Sequence, residues 1–170
     1  MRVVLGRYPG RRAKKPRRIE VRIDDWDVWG LDNTLALIIH PALVRLREKK
    51  HGSGYVADED VPEEMRLREE PSNENAWEGI PNVHERWDWV LDEMIWAFEH
   101  LANEDWEEEF HSGEVDWDFV DEVVNGQTVC RMVTGPNDTF KVNREGLDAA
   151  NERIRNGTRL FGKYFQALWD

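Results

Sequence analysis

The sequence predicts an α+β fold with three main helices, a short N-terminal strand pair and a β-hairpin before the C-terminal helix. Helical apolar spacing in the middle and at the end of the chain predicts the helices, and short alternating segments predict the strands. With 170 residues, 40% hydrophobic content and nine Trp, the chain is expected to form one globular domain, residues 1–170.

The first 22 residues combine strand patterns with positive charge. "RVVLG" and "RRIEVRI" predict short strands, and "YPGRRAKKP" predicts the loop between them. Residues 1–22 hold nine Arg or Lys and one acid (+8), while the other 148 hold 14 basic and 34 acidic residues (−20), which gives the total of −12. Such a basic arm suits a nucleic-acid partner, pairing with the acidic remainder, or solvation alone.

A helix and a long loop are predicted next. "DNTLALIIHPALVRLREKKHG" predicts a helix that begins at an N-cap, Asp32 or Asn33, and stops at Gly52. Pro41 is expected to kink or split this helix. Residues 52–82 are rich in Gly, Pro, Ser, Asn and Glu, so we expect a long surface loop with a role in binding or as a cover.

The second helix, "ERWDWVLDEMIWAFEH" and on to about residue 103, has two opposite faces. Its apolar stripe contains Trp87, Val90, Leu91, Met94, Phe98 and Leu101. Its acidic side carries Glu85, Asp88, Asp92 and Glu99. A half-buried packing helix explains both faces. The alternative is a Mg²⁺ site of a nucleotide hydrolase, which needs a second acidic pair on another helix that the sequence does not show.

The last third of the chain predicts a connector, a hairpin and a helix. The acidic connector is "EDWEEEFHSGEVDWDFVDE", and "TVCRMV", "TGPND" and "TFKV" form the predicted hairpin. The helix is expected to run from an N-cap at Asn143 to the C-terminus. Its predicted apolar face is Leu147, Ala150, Ile154, Thr158, Phe161, Phe165 and Leu168. Beside it, Arg155, Arg159 and Lys163 either pair with the acids of the preceding helix or hold an anion.

No catalytic motif has a usable spacing. "GTRLFGK" matches a phosphate loop in length, but Tyr164 stands where Ser or Thr should reach Mg²⁺, and the segment lies in a predicted helix. The five His are scattered, and there is no GxSxG, Cys–His or HExxH pattern. The lone Cys130 suits a reducing compartment. We therefore expect no catalytic residues, no cofactor, no membrane segment and a cytoplasmic location.

The candidate ligand site combines tryptophans with basic residues from separate segments. "DDWDVWG" carries two tryptophans that either plug the core edge or stack on a base. "KKHGSG" follows a helix C-terminus, where cations act as caps or meet an anion. The predicted site for a small anionic ligand, such as a signalling nucleotide, is Trp26, Trp29, Thr34, Lys50, His51, Arg159 and Lys163.

Several segments resemble a family of uncharacterised accessory proteins of tailed bacteriophages, including marine cyanophages. The matching pieces cover more than half of the chain in the same order: "LGRYP", "RIDDWDVWGLDNTLALII", "KKHGSGYVADEDVPEEMR", "ERWDWVLDEMIWAFE" and "NGTRLFGKYFQALWD". The resemblance implies a virus-encoded protein that acts in the cytoplasm of an infected bacterium, and it carries no catalytic residues across. Family members often have a longer stretch between the first two motifs, and His where Asn33 stands here.

These features together predict a non-enzymatic binding protein that counters host defence by sequestering a small anionic ligand. The first alternative is an acidic inhibitor of a host protein, which would dock through Glu107, Glu108 and Glu109. The others are a Mg²⁺-dependent nucleotide hydrolase and a minor virion protein. An oligomer is compatible with each of them.

Overall fold

A computed structural model describes residues 1–7, 16–67 and 82–169. Within them the chain forms helices and two-stranded antiparallel sheets, which confirms the predicted α+β class. The helices are α1 (Asp25–Trp29), α2 (Leu31–Lys49), α3 (Val83–Ala102) and α4 (Arg144–Lys163). The strands are β1 (Arg2–Leu5), β2 (Ile19–Arg22), β3 (His111–Ser112), β4 (Trp117–Val124), β5 (Gln127–Thr134) and β6 (Lys141–Val142). No helix in this part of the chain is long and apolar enough to cross a membrane.

The chain divides into two compact units. Unit 1 consists of Met1–Asn103 with Ile154–Asp170, and unit 2 is Glu104–Arg153. The expectation of a single domain stays a prediction, because a division into compact units does not show whether they fold separately.

The predicted N-terminal strands are confirmed. β1 and β2 pair antiparallel, and their register places Val3, Leu5, Ile19 and Val21 on one face of the ribbon. Most of the loop predicted between them, residues 8–15, lies outside the described residues.

The first long helix is confirmed with different ends. α2 begins at Leu31 after Gly30, so the predicted N-cap at Asp32 or Asn33 is wrong. The amide of Asn33 instead donates to the carbonyl of Leu101 at 3.1 Å and ties the start of α2 to the end of α3. The helix continues through Pro41 without a break, so the predicted split does not occur. Burial of its apolar side against α3 stabilises both halves.

The packing side of α3 is confirmed. Trp87, Val90, Leu91, Met94 and Phe98 are buried as predicted, whereas Leu101 is half-buried. These side chains form the core of unit 1, together with residues of α2, α4 and the segment after α2. The 3.6-residue period therefore identified the buried face.

The last helix is confirmed, but its predicted apolar face is partly wrong. The side-chain oxygen of Asn143 accepts from the amide of Gly146 at 3.1 Å, which confirms the N-cap. The helix ends at Lys163, and Phe165 lies in a following 3-10 turn with its ring exposed. Leu160 and Tyr164 are buried in its place. The buried side includes Gly157, because that glycine faces Ala97 of α3.

The segment after α2 is not the surface loop that its composition predicts. Val56, Asp60 and Val61 are buried, and two 3-10 turns shape the chain at Asp58–Asp60 and Glu63–Met65. The rest of the predicted loop, residues 68–81, lies outside the described residues. The described part belongs to the core of unit 1.

In unit 2 the hairpin is formed by a different pair of strands from the predicted one. β5 pairs with β4, which lies largely in the segment predicted as a connector. Asn125 and Gly126 form the turn with positive φ angles of 54° and 81°, as the favoured two-residue hairpin turn requires. The predicted second strand, "TFKV", contributes only β6, which pairs with β3. The predicted turn at "TGPND" is instead held by Asp116, which accepts from the amide of Asn137 at 2.9 Å.

Candidate functional site

The residues of the predicted ligand site lie in three separate places in unit 1. Trp26 and Trp29 lie on α1, and Thr34 is in the first turn of α2. Lys50 follows the other end of α2, next to the exposed His51. The length of helix between Thr34 and Lys50 is about 24 Å, so the tryptophans and this cation do not share a pocket of small-ligand size.

The remaining two predicted residues, Arg159 and Lys163, lie on α4 and are paired with carboxylates. Arg159 Nη1 lies 2.7 Å from Asp60 Oδ1, and Lys163 Nζ lies 2.5 Å from Asp60 Oδ2 and 2.8 Å from Glu59 Oε1. The prediction that these cations pair with acids of α3 is therefore wrong, since their partners come from the segment after α2. We call these four residues and Tyr164 the Asp60 cluster.

The Asp60 cluster is built around a carboxylate with no exposed side-chain surface. The hydroxyl of Tyr164 donates to Asp60 at 2.6 Å and accepts from the amide of Ala57 at 3.0 Å. Burial alone would raise the pKa of Asp60, but hydrogen bonds from Lys163, Tyr164 and Arg159 lower it below its ordinary value.

The acid–base state of this cluster limits what Tyr164 and Lys163 can do chemically. Burial, followed by the hydrogen bond to Asp60, raises the pKa of Tyr164 to about 12. Hydrogen bonds to Asp60 and Glu59 raise the pKa of Lys163 above its ordinary value. Tyr164 is thus protonated and Lys163 charged at neutral pH, so neither is a general base or nucleophile. The cluster anchors the segment after α2 to α4.

A second buried charge anchors the same segment. The guanidinium of Arg86 donates to the carbonyls of Val56 at 2.7 Å and Met65 at 2.5 Å, and to the carboxylate of Asp58 at 2.7 Å. Asp58 also accepts from the amide of Leu67 at 3.1 Å. Because all these partners lie between residues 56 and 67, Arg86 fixes the shape of the segment.

The four carboxylates proposed for Mg²⁺, on α3, do not converge on one point. Lys50 Nζ lies 2.7 Å from Asp88, and Arg47 lies 3.3 Å from Asp88 and donates to Asp92 at 2.9 Å. Glu85 and Glu99 are exposed and about 21 Å apart along α3. Within residues 1–7, 16–67 and 82–169, no group of three or more His, Cys, Asp or Glu is placed to hold a metal ion.

The tryptophans of α1 lie on the surface rather than at the core edge. Trp26 is 79% exposed and Trp29 is 83% exposed, so the prediction that they plug the core is wrong. Their rings stack on each other with centroids 5.7 Å apart and an interplanar angle of 14°. The tryptophan that is buried in the core is instead Trp87 on α3.

The N-terminal part of unit 1 also exposes aliphatic side chains. They come from β1, β2, the residue after β2, α1 and the first half of α2: Leu5, Ile19, Val21, Ile23, Val28, Leu31, Leu35, Leu37 and Ile38. A cavity of about 310 Å³ lies between β1, α1 and α2, lined by Met1, Val3, Asp27, Thr34, Leu37 and Ile38. The hydroxyl of Thr34 donates to the carbonyl of Asp27 at 3.2 Å and ties α2 to α1. We call these aliphatic side chains and the two indoles the tryptophan surface.

Charges beside this surface are paired locally. Arg18 and Arg2 lie 3.1 and 3.9 Å from Glu20, and Arg22 lies 3.5 Å from Asp24. All three arginines are highly exposed, so these pairs contribute little stability. The described residues of the arm hold five arginines against Glu20 alone, so the arm keeps a net positive charge.

Chemically, the tryptophan surface offers apolar side chains for contact. The sequence contained one signal for it: "DVWGL" and "LALII" place more apolar residues around the start of α2 than one packing face can bury. The Asp60 cluster had no such signal, because its acids and its α4 residues are about 100 residues apart in the chain. Comparison of the chain with protein-family models, with curated proteins and with solved structures gives no match.

Proposed function

We propose that this chain is a non-enzymatic protein-binding protein that uses the tryptophan surface as its contact surface. The observation that carries the proposal is the exposure of two adjacent, mutually stacked indoles, Trp26 and Trp29. Exposed apolar patches of more than a few hundred Å² mark interaction sites, and Trp is enriched among the residues that dominate binding energy.

The chemistry of the surface favours a protein over a nucleotide. A nucleotide needs cations for its phosphates, but Lys50, Arg159 and Lys163 are engaged by carboxylates. The exposed aliphatic side chains of β2 and α2 add nothing to base stacking, whereas they match the apolar centre of a protein interface.

The resemblance to tailed-phage proteins supports a setting in the cytoplasm of an infected bacterium. There the protein would bind a host protein and so block its function in defence. The sequestration of a signalling nucleotide is an outcome that the experiments below distinguish, and mass spectrometry of purified virus particles tests a place in the virion.

The first test compares two tryptophan variants of the full chain. Trp26→Ala/Trp29→Ala removes the stacked indoles, and Trp169→Ala removes an indole of unit 1 that is also exposed, outside the tryptophan surface. Each tagged protein is incubated with a lysate of a cyanobacterial host, and bound proteins are quantified by mass spectrometry. We expect the wild type and the Trp169 variant to retain the same partner and the double variant to lose it at least tenfold.

Two results would overturn the proposal. One is equal retention by the double variant with its thermal unfolding unchanged. The other is binding of a small molecule instead: isothermal calorimetry against cyclic and linear nucleotides would show heat with the wild type and none with the double variant. That second result would assign the indoles to a base, as the sequence first suggested.

A further inference from the structure

The hairpin formed by β4 and β5 is exposed along its whole length in unit 2. Fifteen of its sixteen strand residues are exposed, and only Val133 is partly buried. An antiparallel sheet normally packs one face on a core, and an isolated two-stranded hairpin is marginally stable. Both outer edges of this hairpin are also unpaired in the part of the chain that the structure describes.

One face of the hairpin is apolar. The register places eight residues on this face: Trp117, Phe119, Asp121, Val123, Thr128, Cys130, Met132 and Thr134. Phe119 is 64% exposed and Val123 is 70% exposed, and more than half of Trp117 and Met132 is exposed. We call these eight residues the hairpin face. Uncovered apolar side chains at this density are typical of a contact surface.

Asp121 is the only charged residue among the eight, and it lies beside Cys130 in the middle of the face. A partner that covers Phe119 and Met132 also removes water from this carboxylate. An uncompensated carboxylate is costly to desolvate, so a fitting partner must place a cation opposite Asp121.

The net charge of unit 2 also favours a positively charged partner. Glu104–Arg153 contains 14 acidic and four basic residues, a net charge of −10. Such a unit attracts a positively charged surface and increases its association rate. We propose that the hairpin face binds a second partner, a basic protein whose contact surface has an apolar centre and a lysine or arginine that pairs with Asp121.

A second copy of this chain fits the hairpin face less well. Two such faces in contact would bring two Asp121 carboxylates into one apolar interface without a cation, while two units of −10 repel each other. This binding is independent of the tryptophan surface, which lies in unit 1.

The test uses a defined probe with the full chain. The probe is a labelled synthetic peptide of strand length with alternating Leu and Lys, which presents an apolar side and cations. A matched peptide with alternating Leu and Glu is the control. Fluorescence anisotropy titrations compare the wild type with Asp121→Asn, Phe119→Ser and Val120→Ser, the last on the opposite face of the same strand.

We expect the Lys peptide to bind and the Glu peptide not to bind. Asp121→Asn and Phe119→Ser should each weaken binding by about tenfold or more, and Val120→Ser by less than about twofold. Asp121→Asn changes no volume on an exposed strand, so it tests the idea even if Phe119→Ser weakens the hairpin.

Three results overturn the proposal. The first is no binding of the Lys peptide. The second is equal affinity of the wild type, Asp121→Asn and Phe119→Ser, which would leave only attraction to the net negative charge. The third is sedimentation that shows self-association of the wild type and its loss in Phe119→Ser, which would assign the hairpin face to a second copy.

Discussion

Asp60 shows how single residues in unit 1 keep a charge in the core. Its carboxylate is fully buried, yet it stays ionised because Lys163, Tyr164 and Arg159 bind it. Its pKa in the folded protein lies below the ordinary value of 3.8. A depressed folded pKa stabilises the fold above the unfolded pKa, and this contribution is lost as pH falls through the folded pKa.

We therefore expect a pH-dependent difference between the wild type and Asp60→Asn. At pH 7 the variant should be less stable by about 2 kcal/mol, because Arg159 and Lys163 lose their shared partner but remain partly exposed. The difference should shrink below about pH 4 as Asp60 is protonated in the wild type. Urea unfolding from about pH 2.5 to 7 measures it. Parallel curves over this range would show that folding does not shift the pKa of Asp60.

At the scale of elements, Gly157 sets how closely α3 and α4 pack. A side chain at this position would meet the Cβ of Ala97 and lie 2.7 Å from the carbonyl oxygen of Glu93. In the same helix, a Cβ at Gly162 would meet nothing within 4 Å. The two glycines thus separate the effect of packing from that of helix propensity.

We expect Gly157→Ala to destabilise the protein by about 2 kcal/mol, since the helices must move apart despite the better helix propensity of Ala. Gly162→Ala should stabilise it by about 0.5 to 1 kcal/mol, because only the propensity changes. Urea unfolding of both variants, monitored by circular dichroism, gives the comparison. The same sign of change in both would contradict close packing at Gly157.

The sequence predicts features that depend on residues close together in the chain better than features that depend on contacts between distant segments. The faces of α3 and the pairing of β1 with β2 follow from local periodicity, and both were predicted. β4 was missed because its acids resembled a connector, although Asn125-Gly126 is a strong hairpin signal.

The candidate sites were less predictable than the elements. A row of cations beside the apolar face of a helix gives the same sequence pattern whether the cations bind a ligand or a buried acid. Only the fold brings Asp60 to Lys163, and only the fold leaves Trp26 uncovered. Both facts depend on contacts between segments that are far apart in the chain or on how the rest of the core is filled.

At the scale of the whole molecule, the charge is strongly unbalanced. The chain carries −12 at pH 7, and its sequence pI is about 4.9. Repulsion among excess acids destabilises a compact state, while ion pairs such as those of Arg47 and Arg86 stabilise it. Salt weakens both effects, but it weakens interactions among exposed charges most.

Many of the acids are exposed, whereas the ion pairs of Asp60, Asp88 and Arg86 each include a buried or half-buried side chain. Raising NaCl from about 20 mM to about 500 mM should therefore increase the free energy of unfolding by about 1 kcal/mol. Urea unfolding at pH 7.5 measures this change without adding a charged denaturant. Glu107→Lys/Glu108→Lys/Glu109→Lys, which changes the net charge from −12 to −6, should reduce the salt effect. A decrease in stability with salt would mean that exposed ion pairs, rather than repulsion among acids, dominate the electrostatics of this fold.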